Sequence, residues 1–167
     1  REDVRMESLT TPDEDHLPDA EVVDLCSELI RFDSSNFGDG SGPGERPIAE
    51  FVATKLSDVG IHVDLFESLP GRTSAIAHWG EGVGDPLLIH GHLDVVPAMA
   101  ADWTVDPFGG EIREGMVWGR GAVDMKDFNA MLLSVIRARA RSGRIPQRPL
   151  VLCFTADEEA GGALGAG

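Results

Sequence analysis

The chain has 167 residues, which is enough to bury one hydrophobic core, so we expect a single domain. Its 14 lysines and arginines are outnumbered by 29 aspartates and glutamates, and the resulting net charge of −15 disfavours nucleic acid and anionic membranes as partners. No apolar run reaches the roughly 18 residues that suggest a membrane-spanning helix. With 42% hydrophobic residues, the composition is that of an ordinary globular α/β chain.

In chain order, the sequence opens with an acidic stretch, residues 1–18, which has few apolar side chains and is predicted to be a disordered tail. Apolar residues at helical spacing then predict three helices, at residues 19–32, from about 48 to a stop at Gly60, and from Lys126 to about Gly143. Apolar or alternating runs predict strands at 61–65, 74–79, 86–90 and 149–155, and a short strand or turn at 115–118. Helices that alternate with strands are typical of an α/β fold with a partly parallel sheet.

The two cysteines indicate the redox setting of the chain. Cys26 and Cys153 both lie in apolar periodic segments, which predicts buried free thiols rather than a disulfide. Because free thiols are typical of a reducing compartment, we expect a cytoplasmic protein.

Two apolar runs end in clusters of side chains that commonly bind metals. The run 87–89 is followed by His90, His92 and Asp94, and the run 151–154 is followed by an Asp-Glu-Glu triplet at 157–159. Each run has the length of a buried parallel strand, so each cluster is expected at a carboxyl end, where the active sites of open α/β sheets collect. Between the runs, Asp124 lies just ahead of the third predicted helix. The pattern predicts a hydrolytic metal site.

His92 and Asp94 are the first candidate pair. They are two residues apart, so in an extended segment their side chains point to the same side. A buried aspartate at the end of a strand is costly unless it is paired or bound to a metal. We therefore favour His92 as a metal ligand and Asp94 as the residue that orients it, over a plain strand-end turn. His90 shares the spacing, but we expect it to be a core or supporting histidine.

The acidic residues also have simpler explanations. Asp124 precedes a helix and would serve as its N-cap, and the triplet Asp157, Glu158 and Glu159 would form a solvated acidic turn. Three consecutive carboxylates directly after a buried strand nevertheless repel one another and favour a nearby cation. Since neighbouring side chains diverge, one of Glu158 and Glu159 is expected to hold a metal while the other faces the substrate as a base.

Other chemistries match the sequence less well. The glycine-rich segment 38–44 fits neither of the common nucleotide-binding patterns and follows no predicted strand. No serine lies in a G-x-S-x-G elbow. A glycosidase with two catalytic carboxylates would leave His92 without a role.

Four motifs occur in the order LIHGHLDVVP at 88–97, WTVDPF at 103–108, WGRGAVDMK at 118–126 and TADEEAGG at 155–162. In this order they resemble the motifs of the di-zinc hydrolase family of acetylornithine deacetylase, succinyl-diaminopimelate desuccinylase, aminoacylase and bacterial glutamate carboxypeptidase. The resemblance extends from about residue 19 to 167. It implies a three-layer catalytic domain in which a mixed, partly parallel sheet lies between helices.

The resemblance also implies a role for each candidate residue. His92 would bind one zinc ion, Glu159 would bind the other, and Asp124 would bridge both. Asp94 would orient His92, and Glu158 would act as the general base. Cobalt is a possible substitute for zinc.

The sequence departs from the family pattern at Asp127, where the family commonly has glycine. An acidic residue is favourable in the first turn of a helix, so we expect this change to preserve function. Family members continue with a further acidic ligand, an inserted lid domain that often dimerises, and a second histidine ligand. The chain is therefore expected to be truncated before the lid domain, with 19–167 forming an incomplete N-terminal portion of the catalytic domain.

The expected function of the full-length parent is zinc-dependent hydrolysis of an amide bond in an N-acyl amino acid or small peptide. Its partner would be that small-molecule substrate, with no nucleic acid or membrane involved, and a homodimer would form through the lid. Two alternatives remain open. This chain would be a non-catalytic, incomplete domain with at most weak metal binding, or the parent would be a metallohydrolase that uses a single zinc ion.

Overall fold

A computed structural model describes residues 19–165, and the predicted tail at 1–18 lies outside the described residues. The described elements are helices α1 (Asp19–Ile30), α2 (Arg46–Ser57) and α3 (Lys126–Arg141), and strands β1 (Val63–Leu69), β2 (Arg72–Trp79), β3 (Leu87–His92), β4 (Glu111–Arg113), β5 (Met116–Trp118) and β6 (Leu150–Thr155). None of these three helices has the length and apolarity that crossing a membrane requires.

The three predicted helices are present, and each ends within about three residues of its expected bound. In α2, proline follows the first residue, where its missing N–H is tolerated, and Ile48, Val52 and Leu56 point one way into the core. In α3, Asp127 lies in the first turn and Arg139 and Arg141 in the last, so all three charges complement the helix dipole.

The main sheet has four strands in the order β1-β2-β6-β3. β1 pairs with β2 and β2 with β6 in antiparallel fashion, whereas β3 and β6 are parallel. The expected mixed, partly parallel sheet is therefore confirmed. β4 and β5 form a separate two-stranded hairpin, and β4 was missed because three residues are too few to show a period.

The helices cover one face of this sheet. Ala75, Ala77, Leu152 and Phe154 are fully buried on that face, beneath α2 and α3, and α1 packs on α3. Strand residues of the opposite face include Phe66, which is 57% exposed. Within residues 19–165, no second layer of helices covers this face.

β3 differs from the expectation of a fully buried strand. It lies at the edge of the described sheet, and Leu88, on the open face, is 59% exposed. His90 is on the same face and is exposed, so it is not a core histidine. A supporting role is still a prediction, and its Nε2 lies 2.8 Å from Thr155 Oγ1. An apolar run is buried on both faces only where both faces are covered. Cys26 is buried as expected, Cys153 is only partly buried, and both are free thiols.

Candidate metal centre

The parallel pairing of β3 with β6 brings the two predicted ligand clusters side by side. His92, the last residue of β3, is in register with Thr155, the last residue of β6. The pairing continues one residue further, because the Leu93 N–H donates to the Thr155 carbonyl at 2.8 Å. Consequently the residues that follow both strands emerge at the same edge of the sheet.

Helix α3 fixes the backbone of His92 from one side. Asn129 Nδ2 donates to the His92 carbonyl at 2.7 Å, and the His92 N–H donates to Met125 Sδ at 3.4 Å. This close approach requires glycine at position 91, because a Cβ there would clash with Asn129 Oδ1. The histidine therefore has little freedom, and its side chain is 6% exposed.

The two ring nitrogens of His92 face different surroundings. Nδ1 lies 3.0 Å from the backbone carbonyl of Asp94 and 3.4 Å from Asp94 Oδ1, whereas Nε2 lies 3.2 Å from Asp124 Oδ1 and 3.8 Å from Glu158 Oε2. An N–H on Nδ1 would donate to the Asp94 carbonyl and leave the Nε2 lone pair directed at the exposed carboxylates. Burial lowers the pKa of His92, but the hydrogen bonds to Asp94 and Asp124 outweigh it and raise the pKa to about 9.

Asp94 connects the two motifs through its carboxylate. Oδ1 accepts the N–H of Glu158 at 3.1 Å, and Oδ2 accepts the N–H of Glu159 at 3.0 Å and Asn36 Nδ2 at 2.9 Å. The residue is completely buried. Burial raises the pKa of Asp94, but these hydrogen bonds and the one to His92 lower it more, so the net shift is downward. Asp94 therefore holds the acidic turn as well as the histidine.

Asp124 is not the N-cap that its position suggested. The N-cap of α3 is Met125, and no side chain caps the helix. Lys126 begins the helix, and its side chain is fully buried with Nζ donating to the Phe32 carbonyl at 2.7 Å. Burial lowers the pKa of Lys126 to about 7. The Asp124 side chain is 75% exposed, so its carboxylate is available to a ligand.

His92, Asp124 and Glu159 form a group in which one ligand atom from each residue lies within 4.8 Å of the others. One imidazole nitrogen and two carboxylates are a donor set that suits zinc, so these residues fit the metal that the sequence resemblance implies. Burial, and then the like charges of Asp124, Asp94 and Glu158, raise the pKa of Glu159 despite the opposing effect of His92. Clustered carboxylates of this kind are stabilised by a bound cation.

Glu158 lies beside this group without belonging to it. Its backbone is tied to Asp94, its side chain is 50% exposed, and its nearest described charge partner is His92 Nε2. Glu158 and Glu159 belong to a short 3-10 turn that follows Asp157, a buried residue with a left-handed φ of 66°. The two neighbouring glutamates thus project from a turn whose backbone is held by hydrogen bonds to Asp94.

A cavity of about 290 Å³ adjoins Asp124 and Glu159. Its other walls include Val96, Trp103 and Arg120. The Arg120 guanidinium lies 5.3 Å from the centre of the Trp103 ring. The cavity therefore combines apolar walls with one cation next to the candidate metal ligands.

Several polar residues of the site were not predicted from the sequence. Asn36, Arg72 and Glu45 are all buried and form a connected set that ends at Asp94. Asp157 was expected only as part of an acidic turn. No local period marks these residues, and the one available signal was the charge of Arg72 at the start of β2.

The fold and the grouped donors define an α/β domain with a candidate divalent-metal site at the carboxyl ends of two parallel strands. Comparison with known proteins supports the resemblance seen in the sequence. Residues 88–167 match the model of peptidase family M20/M25/M40.

Curated relatives carry related names. Succinyl-diaminopimelate desuccinylase of Methylocella silvestris is 37% identical over 143 residues, which cover 83% of this chain and 35% of that protein. Acetylornithine deacetylase of Vibrio parahaemolyticus is 34% identical over 138 residues, which cover 82% of this chain and 36% of that protein. The chain thus spans about a third of the length of these relatives.

Solved structures support the fold. A metallo-carboxypeptidase of the M20 family from Sulfolobus solfataricus matches with a TM-score of 0.73 and 23% identity, over 84% of this chain and 32% of that one. Human carnosine dipeptidase 1 matches with a TM-score of 0.71 and 23% identity, over 88% of this chain and 34% of that one. Both show the same mixed α/β arrangement.

Proposed function

We propose that this chain is the N-terminal part of the catalytic domain of a zinc-dependent amidohydrolase that acts on N-acyl amino acids or small peptides. One observation carries the proposal: ligand atoms of His92, Asp124 and Glu159 lie within 4.8 Å of one another. Relatives named as a desuccinylase and a deacetylase support an acyl-amide substrate.

We assign His92 and Glu159 to different zinc ions and Asp124 to both. The exposed carboxylate of Asp124, 3.2 Å from His92 Nε2, suits a shared ligand because it has no other described hydrogen bond. Bound zinc would supply a Lewis acid for the scissile carbonyl and would lower the pKa of a nucleophilic water. Cobalt would occupy the same donors.

The chain's own side chains would perform the proton transfers and the positioning. Glu158 is the general base, because it lies next to the ligands, is half exposed to substrate, and is not needed to hold a metal. Asp94 keeps Glu158 and Glu159 in place through their backbone N–H groups, while its own carbonyl orients His92. The cavity beside Asp124 and Glu159 would receive the group attached to the scissile amide.

The remaining features of the proposal concern the complete enzyme. It would have a lid domain that closes the cavity and dimerises, and it would supply the remaining ligands. The two free thiols support a reducing, cytoplasmic setting. Two zinc ions per complete site follow from the roles assigned to Asp124, His92 and Glu159.

The test is an assay of a protein of the relatives' full length that contains this chain. Zinc- or cobalt-loaded enzyme should release the free amine from at least one N-acyl amino acid or dipeptide in a panel, and a chelator should abolish the release. Metal content of two per chain is expected, and one per chain would favour the single-zinc alternative. No metal-dependent turnover of any amide would refute the proposed function.

The 167-residue chain by itself should be inactive and should bind zinc weakly. A catalytic zinc usually has three protein ligands, and two ions would share only the three donors grouped in the described residues. Metal-dependent turnover by this chain, abolished by Glu158→Ala, would show that further residues within it complete the site.

A further inference from the structure

A chain of buried polar side chains lies behind the candidate metal centre. Arg72 Nη1 pairs with Glu45 Oε1, and Arg72 Nη2 donates to Asn36 Oδ1 at 3.1 Å. Asn36 Nδ2 then donates to Asp94 Oδ2 at 2.9 Å and to Asp157 Oδ1 at 3.1 Å. Asn36, Arg72, Glu45, Asp94 and Asp157 are each at most 5% exposed.

Asparagine is the side chain that this position requires. Its Oδ1 accepts from Arg72 and from the Gly38 N–H at 3.0 Å, while its Nδ2 faces two carboxylates, so both ends of the amide are fully used. Because Arg72 and the Gly38 N–H are both donors, the amide atom that they contact must be the oxygen, which fixes the orientation of the Asn36 amide. Aspartate here would add a third negative charge, and an apolar residue would leave two buried carboxylates without a shared donor.

The backbone of Asn36 is itself held against the segment that follows β3. Its N–H donates to the Val95 carbonyl at 2.9 Å, and the Val95 N–H donates to the Ser34 carbonyl at 3.1 Å. Asn36 therefore has a fixed base from which its side chain reaches both motifs. On one side is Asp94, next to His92, and on the other is Asp157, which begins the turn carrying Glu158 and Glu159.

We propose that Asn36, backed by Arg72 and Glu45, is a positioning residue that sets the separation between His92 and the turn with Glu158 and Glu159. The oxygen of Asp94 that accepts from Asn36 also accepts from the Glu159 N–H, so a shift of this carboxylate moves a proposed ligand. The like charges of Asp94 and Asp157 would otherwise push the two segments apart. The positioning role of Asn36 does not depend on the proposed function. Only the expected effect of Asn36 on catalysis rests on it.

Two measurements on a protein of the relatives' full length that contains this chain test the proposal, with Asn36→Ala as the variant. Hydrogen exchange of the Glu158 and Glu159 amides in metal-free protein should accelerate at least about tenfold relative to the rest of the sheet. Zinc affinity, measured by competition with a chromophoric chelator, should weaken about 10–100-fold, the range found for residues that orient metal ligands.

Ser27→Ala is the matched control, because Ser27 is also a small buried polar residue that joins distant segments, with Oγ donating to the Gly110 carbonyl at 2.6 Å. It should lower stability without changing zinc affinity or exchange at the turn. If Asn36→Ala does not fold, Asn36→Ser replaces it, since a hydroxyl is too short to contact both carboxylates.

The Asn36 variants could instead lose stability, as Ser27→Ala does, and keep wild-type exchange at Glu158 and Glu159 and wild-type zinc affinity. That result would show that Asn36 is only a structural residue and would overturn the proposal. Failure of the proposed function has a different signature, namely absence of amide hydrolysis or of zinc binding by the wild-type protein. In that event the exchange measurement still decides the role of Asn36, because it needs no metal.

Discussion

Asp94 Oδ2 accepts the backbone N–H of Glu159 at 3.0 Å, although the two residues are 65 positions apart in the chain. The adjacent oxygen accepts the Glu158 N–H. One buried carboxylate therefore holds the turn that carries a proposed ligand and the proposed base, in addition to contacting His92. Its position explains why an aspartate is found where a strand end would ordinarily favour a neutral residue.

Asp94→Ala should lower the free energy of unfolding of the metal-free chain by about 3 kcal/mol, because three donors lose their acceptor and each buried donor costs about 1–3 kcal/mol when unpaired. Urea unfolding followed by circular dichroism measures the change. Asp94→Asn keeps the shape and one acceptor and should lose less. Equal stability of Asp94→Ala and wild type would mean that water replaces the carboxylate without loss.

Glu21 allows a prediction about pH, away from the metal centre. Arg137 Nε contacts Glu21 Oε1 at 2.9 Å, and Arg141 Nη2 contacts Oε2 at 3.0 Å. Burial raises the pKa of Glu21, but the two arginines outweigh it, so the pKa lies below its ordinary value of 4.5. A carboxyl with a depressed folded pKa stabilises the fold above the unfolded pKa, and this contribution is lost as the pH falls through the folded pKa.

Wild type should therefore have a higher free energy of unfolding than Glu21→Gln at neutral pH. This difference should decrease by about 1 kcal/mol in total as the pH falls below about 4.5. Unfolding of both proteins in urea between pH 7 and pH 3 gives the difference in stability at each pH. Parallel pH profiles for the two proteins would show that the arginine contacts contribute nothing. Zinc affinity should be the same in both, because Glu21, Arg137 and Arg141 join α1 to α3 and belong neither to the donor group nor to the cavity lining.

The position of the candidate site could be predicted from the sequence because it depends on local features. An apolar run predicts a strand, and the ligands follow at its end, as with His92 after β3 and residues 157–159 after β6. When two such strands are parallel neighbours, their carboxyl ends coincide, and the approach of His92 and Glu159 follows. Asp124 joins them from the segment just ahead of α3. Whether these residues bind metal as proposed is still a prediction.

The supporting residues could not be predicted, because tertiary contacts alone define them. Asn36 lies beside a glycine-rich loop and Glu45 just before α2, and neither has a sequence pattern that connects it to Asp94. Lys126 is a second example, since a lysine at a helix start is normally solvated. Its burial results from packing against the segment that includes Phe32.

Asp124→Ala should abolish tight binding of both zinc ions in the full-length enzyme, because it removes a proposed ligand from each at once. Isothermal titration of zinc into the apo enzyme would then show no tight site, whereas wild type should show two. Asp127→Ala is the control, since it removes an acidic residue three positions away, in the first turn of α3, that lies outside the donor group. Two tight sites in Asp124→Ala would exclude it as the shared ligand.

Glu158→Gln should keep both zinc ions in the full-length enzyme and lower kcat by at least about 10²-fold, the lower end for loss of a general base. The side chain lies 3.8 Å from His92 Nε2 but is not among the three grouped donors, so its carboxylate can be neutralised without removing a ligand. Metal analysis and steady-state kinetics on the same preparation measure both quantities. Glu159→Gln is the matched comparison one residue away and should lose metal. Loss of metal from Glu158→Gln, together with a metal-replete but slow Glu159→Gln, would exchange the roles assigned to the two glutamates.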